Sequence, residues 1–254
     1  MSTSAVPESS DTGAVRGAGH GHHHDYHHHR DVQGGVARAS IFGVSDGLVS
    51  NVSLILGFAG ADTSSSVVRL AGIAGLLAGA FSMAAGEYVS MRAQRELLER
   101  ELDRERRELE RHPEVELAEL AELYESRGMD PELARAAAAK MMATPEQALE
   151  VHAREELGVA PDSLGSPVGA AVGSFLSFCA GAFVPLLPWF IGSGTAAVWW
   201  SLTLAVLGAA GVGVALASFT GRSAWYSAAR QALIAAVAAG VTFAVGRALG
   251  VTVT

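Results

Sequence analysis

Five stretches of this chain are apolar or small at almost every position: 38–60, Val67–Met91, Val168–Gly192, Thr195–Phe219 and Ala228–Gly250. Crossing roughly 30 Å of hydrocarbon takes about 20 helical residues. Each stretch is therefore expected to span a membrane. The pattern changes after Met91, where Leu97, Leu98, Leu102 and Leu109 recur at helical spacing among charged residues. Nothing between Met91 and Arg111 breaks that period, so the second span is expected to continue as one long helix until Pro113 ends it. Glu114–Arg127, closed by Gly128, reads as the next helix. Asp130-Pro131 caps a third, and Thr144-Pro145-Glu146 opens a fourth that stops at Gly158. The fold class expected is an all-α membrane protein with five transmembrane helices and a helical domain inserted between the second and third spans. Its parts are a disordered tail (1–37), two spans (38–91), a charged helical domain (92–160) and three further spans (168–250).

Composition supports this division. Of 254 residues 50% are hydrophobic and 17% charged, with 29 glycines, a profile of a membrane protein rather than a water-soluble globule. The single cysteine, Cys179, excludes a disulfide framework and any thiol-cluster metal site. A net charge of −8 gives no basis for nucleic-acid binding. Eighteen of the 26 acidic residues lie in 92–157. Sixteen of the 18 Lys and Arg residues fall in the tail, in 92–157 and between the fourth and fifth spans; only Arg69 and Arg247 dissent. Since cationic loops stay in the cytosol, the N-terminus and 92–160 are expected inside and the C-terminus outside. Trp189, Trp199 and Trp200 near one turn, and Trp225 and Tyr226 near the other, read as interfacial aromatics. One lysine against seventeen arginines, with abundant Ala and Gly, suggests a GC-rich bacterial genome and hence a plasma membrane. No nucleophile elbow, phosphate loop, zinc-protease motif or dinucleotide fingerprint occurs, and no enzyme activity is expected. Gly75–Gly79 and Gly246–Gly250 are small-xxx-small patterns that let helices approach closely.

The candidate chemistry lies in acids of two kinds. Asp46 interrupts the first span, with Ser50, Ser53, Gly43 and Gly57 extending its stripe. A carboxylate in hydrocarbon costs about 2.5–3.5 kcal/mol on insertion scales, so such a residue faces a cavity, a partner or an ion path. Met83 and Glu87 share a face of the second span. Asp46 and Met83 lie at equal depth, about 12 Å from the inner end of their spans. A hard carboxylate and a soft thioether at one level suit a borderline divalent transition metal, and Glu87 would stand at the entrance. In the charged segment Glu101, Glu105 and Glu108 form one row, and Glu116 and Glu119 a second that a hairpin at Pro113 could bring opposite the first. His152, Glu155 and Glu156 add an imidazole and carboxylates. Facing carboxylates either hold a cation or, with the interleaved arginines, form a solvated salt-bridged surface; spacing leaves both open. The tail holds seven of nine histidines, among them His22, His23, His24, His27, His28 and His29, which offer accessory imidazole ligands without fixed geometry.

The segments VSDGLVSN (44–51), SMAAGEYVS (82–90) with QRELLERELDRERRELE after it, and AREELG (153–158) together resemble the vacuolar iron transporter family over about residues 36–250. The resemblance implies a homodimer in the lipid bilayer that moves ferrous iron, and often manganese, out of the cytosol in exchange for protons. Metal is then substrate, and no prosthetic group is expected. It assigns Asp46 and Met83 to the translocation path, and Glu105, Glu108, Glu116, Glu119 and Glu155 to metal collection. Val151 and His152 stand where the family pattern has paired methionines, a departure that would shift preference among iron, manganese, cobalt and zinc. Two rival readings are a membrane-anchored iron sensor or buffer that does not transport, and a partner-binding helical module anchored by its spans.

Overall fold

The computed structural model describes residues 35–158 and 165–253, which are helical apart from short turns. In chain order the helices are α1 (Gly35–Gly60), α2 (Ser65–Arg111), α3 (Pro113–Ser126), α4 (Pro131–Met141), α5 (Pro145–Glu155), α6 (Pro167–Leu186), α7 (Pro188–Ile191), α8 (Gly194–Thr220) and α9 (Ala224–Val253). Five of them, α1, α2, α6, α8 and α9, are long and apolar enough to cross a membrane. The tail histidines named above lie outside the described residues.

The helix ends follow from local chemistry. Asp130 accepts from the backbone N–H of Glu132 and Leu133, Thr144 from Gln147 and Ser166 from Gly169; each is followed by a proline whose missing N–H costs nothing in the first turn. Gly128, Gly158 and Gly221 close α3, the α5 turn and α8 with φ of +94°, +66° and +65°, a conformation that would strain a residue bearing a Cβ. The second span does run on without a break, and α2 is 47 residues long, about 70 Å.

The third span departs from the expected Val168–Gly192. It breaks at Leu187, because Pro188 lacks the N–H that would continue the ladder and its ring clashes with the preceding turn. Side chains satisfy the break. Ser201 donates to the Pro185 carbonyl at 2.7 Å and accepts from the indole N–H of Trp189 at 2.9 Å. Arg69 donates to the Trp189 carbonyl at 3.0 Å, which gives one of the two dissenting cations a structural role. Trp189 is accordingly not an interfacial aromatic: it is 2% exposed, whereas Trp199, Trp200, Trp225 and Tyr226 are exposed. Arg247, the other dissenter, lines a cavity of about 860 Å³ with Asp62 and Trp199, between α1, α8 and α9.

Two kinds of packing hold the molecule. Among the spans, α1 is central and touches α2, α6, α8 and α9. Small residues set the separations: a Cβ on Gly47 would lie 2.3 Å from the Phe178 carbonyl oxygen, and one on Gly246 would lie 1.9 Å from that of Gly57. Leu48, Val52, Ile55 and Leu186 fill the remaining space. The charged helices use ordinary core packing instead. Leu120, Ala121 and Tyr124 of α3 close on Ala134 and Ala138 of α4 and Val151 of α5. α3 and α5 also rest on the end of α2.

Candidate functional site

Two groups of polar residues stand out, one among the spans and one where α2, α3 and α5 meet. The first is a cavity of about 410 Å³ between α1, α2 and α6. Asp46, Ser50 and Asn51 line it from α1, Gly75, Gly79 and Met83 from α2, and Phe178 from α6. The close approach of α1 to α6 through Gly43 and Gly47 seats α1, and Gly75 and Gly79 of α2 make room for the side chains of Leu54 and Phe178. Asp46 is exposed and Met83 half-buried, so the carboxylate and the thioether both reach the open space. Ser50 donates to the Asp46 backbone carbonyl at 2.6 Å, which orients the hydroxyl along the helix. The stripe read from spacing divides. Asp46 and Ser50 line the cavity, whereas Gly43 packs on α6 at Ser174 and Gly57 faces Thr242 of α9. Glu87 is half-buried one turn beyond Met83 and is not among the residues lining the cavity.

The second group joins Glu105 of α2, Glu116 of α3, and His152 and Glu156 of and just beyond α5. One ligand atom from each lies within 4.8 Å of all the others. His152 is fully buried, and its Nδ1 stands 2.9 Å from Glu156 Oε1, 3.1 Å from Glu105 Oε1 and 3.6 Å from Glu116 Oε2. Among the described residues its Nε2 has no hydrogen-bond partner. Burial first, then the neighbouring carboxylates, push the Glu105 and Glu116 carboxyls above the usual carboxylate range; the His152 imidazole opposes both. Glu119 adds to the repulsion at both sites and Glu108 at Glu116. Three carboxylates around one imidazole nitrogen suit a divalent cation with mixed oxygen and nitrogen ligands. The charge of such an ion would offset the burial and repulsion that raise the Glu105 and Glu116 carboxyls.

The acidic rows therefore divide into two populations. Glu96, Glu99, Asp103 and Glu150 pair with arginines on their own helices at 2.6–2.8 Å, all substantially exposed. These pairs are the solvated face that spacing also allowed. Glu101 is half-buried and not in the cluster. Glu155 turns away to pair with Arg127, and Glu156, one position on, takes the place beside His152. The signal was in the spacing: Glu156 is four residues from His152 and so stacks on the same face. Asn51 was not singled out, because five residues place it about 140° round the helix from Asp46, off the polar stripe.

Fold and site together define a polytopic helical membrane protein with a carboxylate-bearing cavity between its spans and a carboxylate–imidazole cluster outside them. The sequence profile of the VIT family matches residues 37–247, and the chain belongs to that family. It is 37% identical over 221 residues to a vacuolar iron transporter of Acanthamoeba castellanii, covering 84% of this chain and 78% of that one. Vacuolar iron transporter 1 of rice (Oryza sativa subsp. japonica) is 32% identical over 237 residues, covering 93% and 94%. Vacuolar iron transporter 1 of Arabidopsis thaliana is 33% identical over 215 residues, covering 84% and 86%.

Proposed function

We propose that this protein exports ferrous iron, and manganese beside it, from the cytosol of a bacterium across the plasma membrane, in exchange for protons and as a homodimer. The observation that carries the reading is the cavity that Asp46 and Met83 share, one residue from each of the first two spans. Relatives named as iron transporters, matched over 78% and 94% of their length, supply the class of cargo. The cationic asymmetry of the sequence supports a cytosolic α3–α5 side.

On this reading Glu105, Glu116, His152 and Glu156 collect the ion, with Glu108 and Glu119 adding negative potential. Because burial raises the Glu105 and Glu116 carboxyls above the usual carboxylate range, the ion and protons compete for them. Glu87 stands where the ion enters the spans. Met83 and Glu105 lie on one unbroken helix, about 33 Å apart along its axis, so a single element connects collection to passage. At Asp46 the ion meets one full negative charge, enough to draw it from water, and Met83 adds a soft ligand that suits a borderline metal.

Purified protein in sealed proteoliposomes tests the proposal. Imposed gradients of ferrous iron or manganese should drive metal across the bilayer together with a counterflow of protons. Metal bound without flux would leave a membrane-anchored iron buffer in its place.

A further inference from the structure

Asn51 is 1% exposed in the wall of the Asp46 cavity, yet only half of its amide is satisfied. Its Nδ2 donates to the Ala182 carbonyl of α6 at 2.6 Å. Its Oδ1 is buried, with no hydrogen-bond partner among the described residues. A buried amide oxygen left unpaired is destabilising, so its placement asks for a reason. The bond to Ala182 fixes the rotamer: with the NH₂ held by α6, the oxygen must point toward α2. It does so at Gly75, where a Cβ would stand 3.2 Å from Oδ1. Gly75 lines the same cavity, so the buried oxygen sits in its wall beside a residue with no side chain of its own. Five residues of helix place Asn51 about 7.5 Å further from the cytosolic end than Asp46.

The geometry points to Asn51 Oδ1 as the second oxygen that the ion meets, a neutral carbonyl-type ligand held ready one step beyond the charged one. This inference rests on the proposed path through Asp46. A charged site followed by a neutral one has a physical logic: a carboxylate attracts the ion, and an uncharged oxygen takes over part of its coordination shell without adding a second deep well. Amide oxygen is a hard ligand and favours manganese and ferrous iron over softer competitors.

Metal transport in proteoliposomes, with KM measured for manganese and for cobalt, tests it. Gly75→Ala leaves Asn51 and its tie to α6 in place but displaces the end of the flexible Leu54 side chain and crowds Oδ1; it should raise the manganese KM roughly tenfold, in the range that disturbing a ligand's setting produces, and the cobalt KM distinctly less. Asn51→Leu should shift the manganese-to-cobalt ratio the same way and also lower the melting temperature, because it removes the α1–α6 hydrogen bond. Asn51→Asp restores a ligating oxygen with charge and should tighten the manganese KM while slowing turnover. A manganese-to-cobalt ratio that stays at the wild-type value in all three variants, while Asp46→Asn abolishes transport, would overturn the role of Asn51 and leave the path standing. Normal transport by Asp46→Asn would overturn the path and this inference with it.

Discussion

The cavity among the spans and the cluster on the charged helices both gather acidic or soft ligands, but they are built in opposite ways. In the cluster, three carboxylates converge on a buried imidazole, and two of them are pushed up in pKa by burial and by one another. In the cavity a single carboxylate faces open space beside two glycines and a half-buried thioether. Many ligands in a dry setting bind an ion firmly, whereas one charge in a wide, sparsely furnished space attracts an ion without trapping it. On the proposed reading this is the division of labour a transporter needs. A site that scavenges a scarce ion must hold it, and a site on the path must release it.

The comparison can be broken most severely at Asp46. Asp46→Asn keeps the volume and removes the only full charge among the residues lining the cavity, so metal flux should drop to background while the purified protein keeps its oligomeric state by size exclusion. Retained flux would make Asp46 a structural acid.

Next come the packing devices. Gly47→Val drives a side chain into the backbone of α6 at Phe178 and Ala182, which cannot yield as a flexible side chain would; the variant should fail to accumulate as folded protein. Leu120→Ala instead opens a void in the core of α3–α5, costing about 2–5 kcal/mol and loosening the cluster while the spans stay assembled. Protease sensitivity confined to 92–157 would register that local loss.

A smaller effect should follow from Glu105→Gln combined with Glu116→Gln. If the cluster supplies ions to the path, this variant should raise the KM for ferrous iron about tenfold with little change in maximal rate. Its stability should also lose a pH dependence that the unaltered protein shows. Glu105 and Glu116 have folded-state pKa values above their unfolded ones, so the metal-free native state binds more protons between the two. Metal-free wild type should therefore become less stable as pH rises from the ordinary glutamate range through the raised folded values, and divalent metal should reverse that slope. Thermal melting of the full-length protein in detergent across that range, with and without manganese, checks the sign.

The mildest change is Met83→Leu, near in volume but without sulfur. It should slow cobalt transport a few-fold and leave manganese close to wild type, since manganese gains little from a thioether. Equal slowing of both metals would reduce Met83 to packing against Phe178 and Ala182.

Much of this protein was determined by sequence alone. Helix-forming residues in runs of about 20 apolar positions have few alternatives in a bilayer, where every backbone group must be bonded within its own segment. The spans, the unbroken α2 and the capped short helices were therefore legible from period, proline and glycine. That Asp46 and Met83 line one cavity was also legible: a charge in an apolar run is conspicuous, and Met83 lies at the same depth on the next span. Only tertiary structure decided which acids converge. Glu105, Glu155 and Glu156 look alike in the sequence, and a single residue of helical phase sends Glu155 to Arg127 and Glu156 to His152. The burial of Trp189 and the half-satisfied amide of Asn51 were hidden likewise, because each depends on which neighbour lies across a helix interface. Local pattern sets what a residue can do within its own helix. The distance to a partner far along the chain is set by the packing of glycines and small side chains, and it is that distance that separates a solvated row of acids from a cluster.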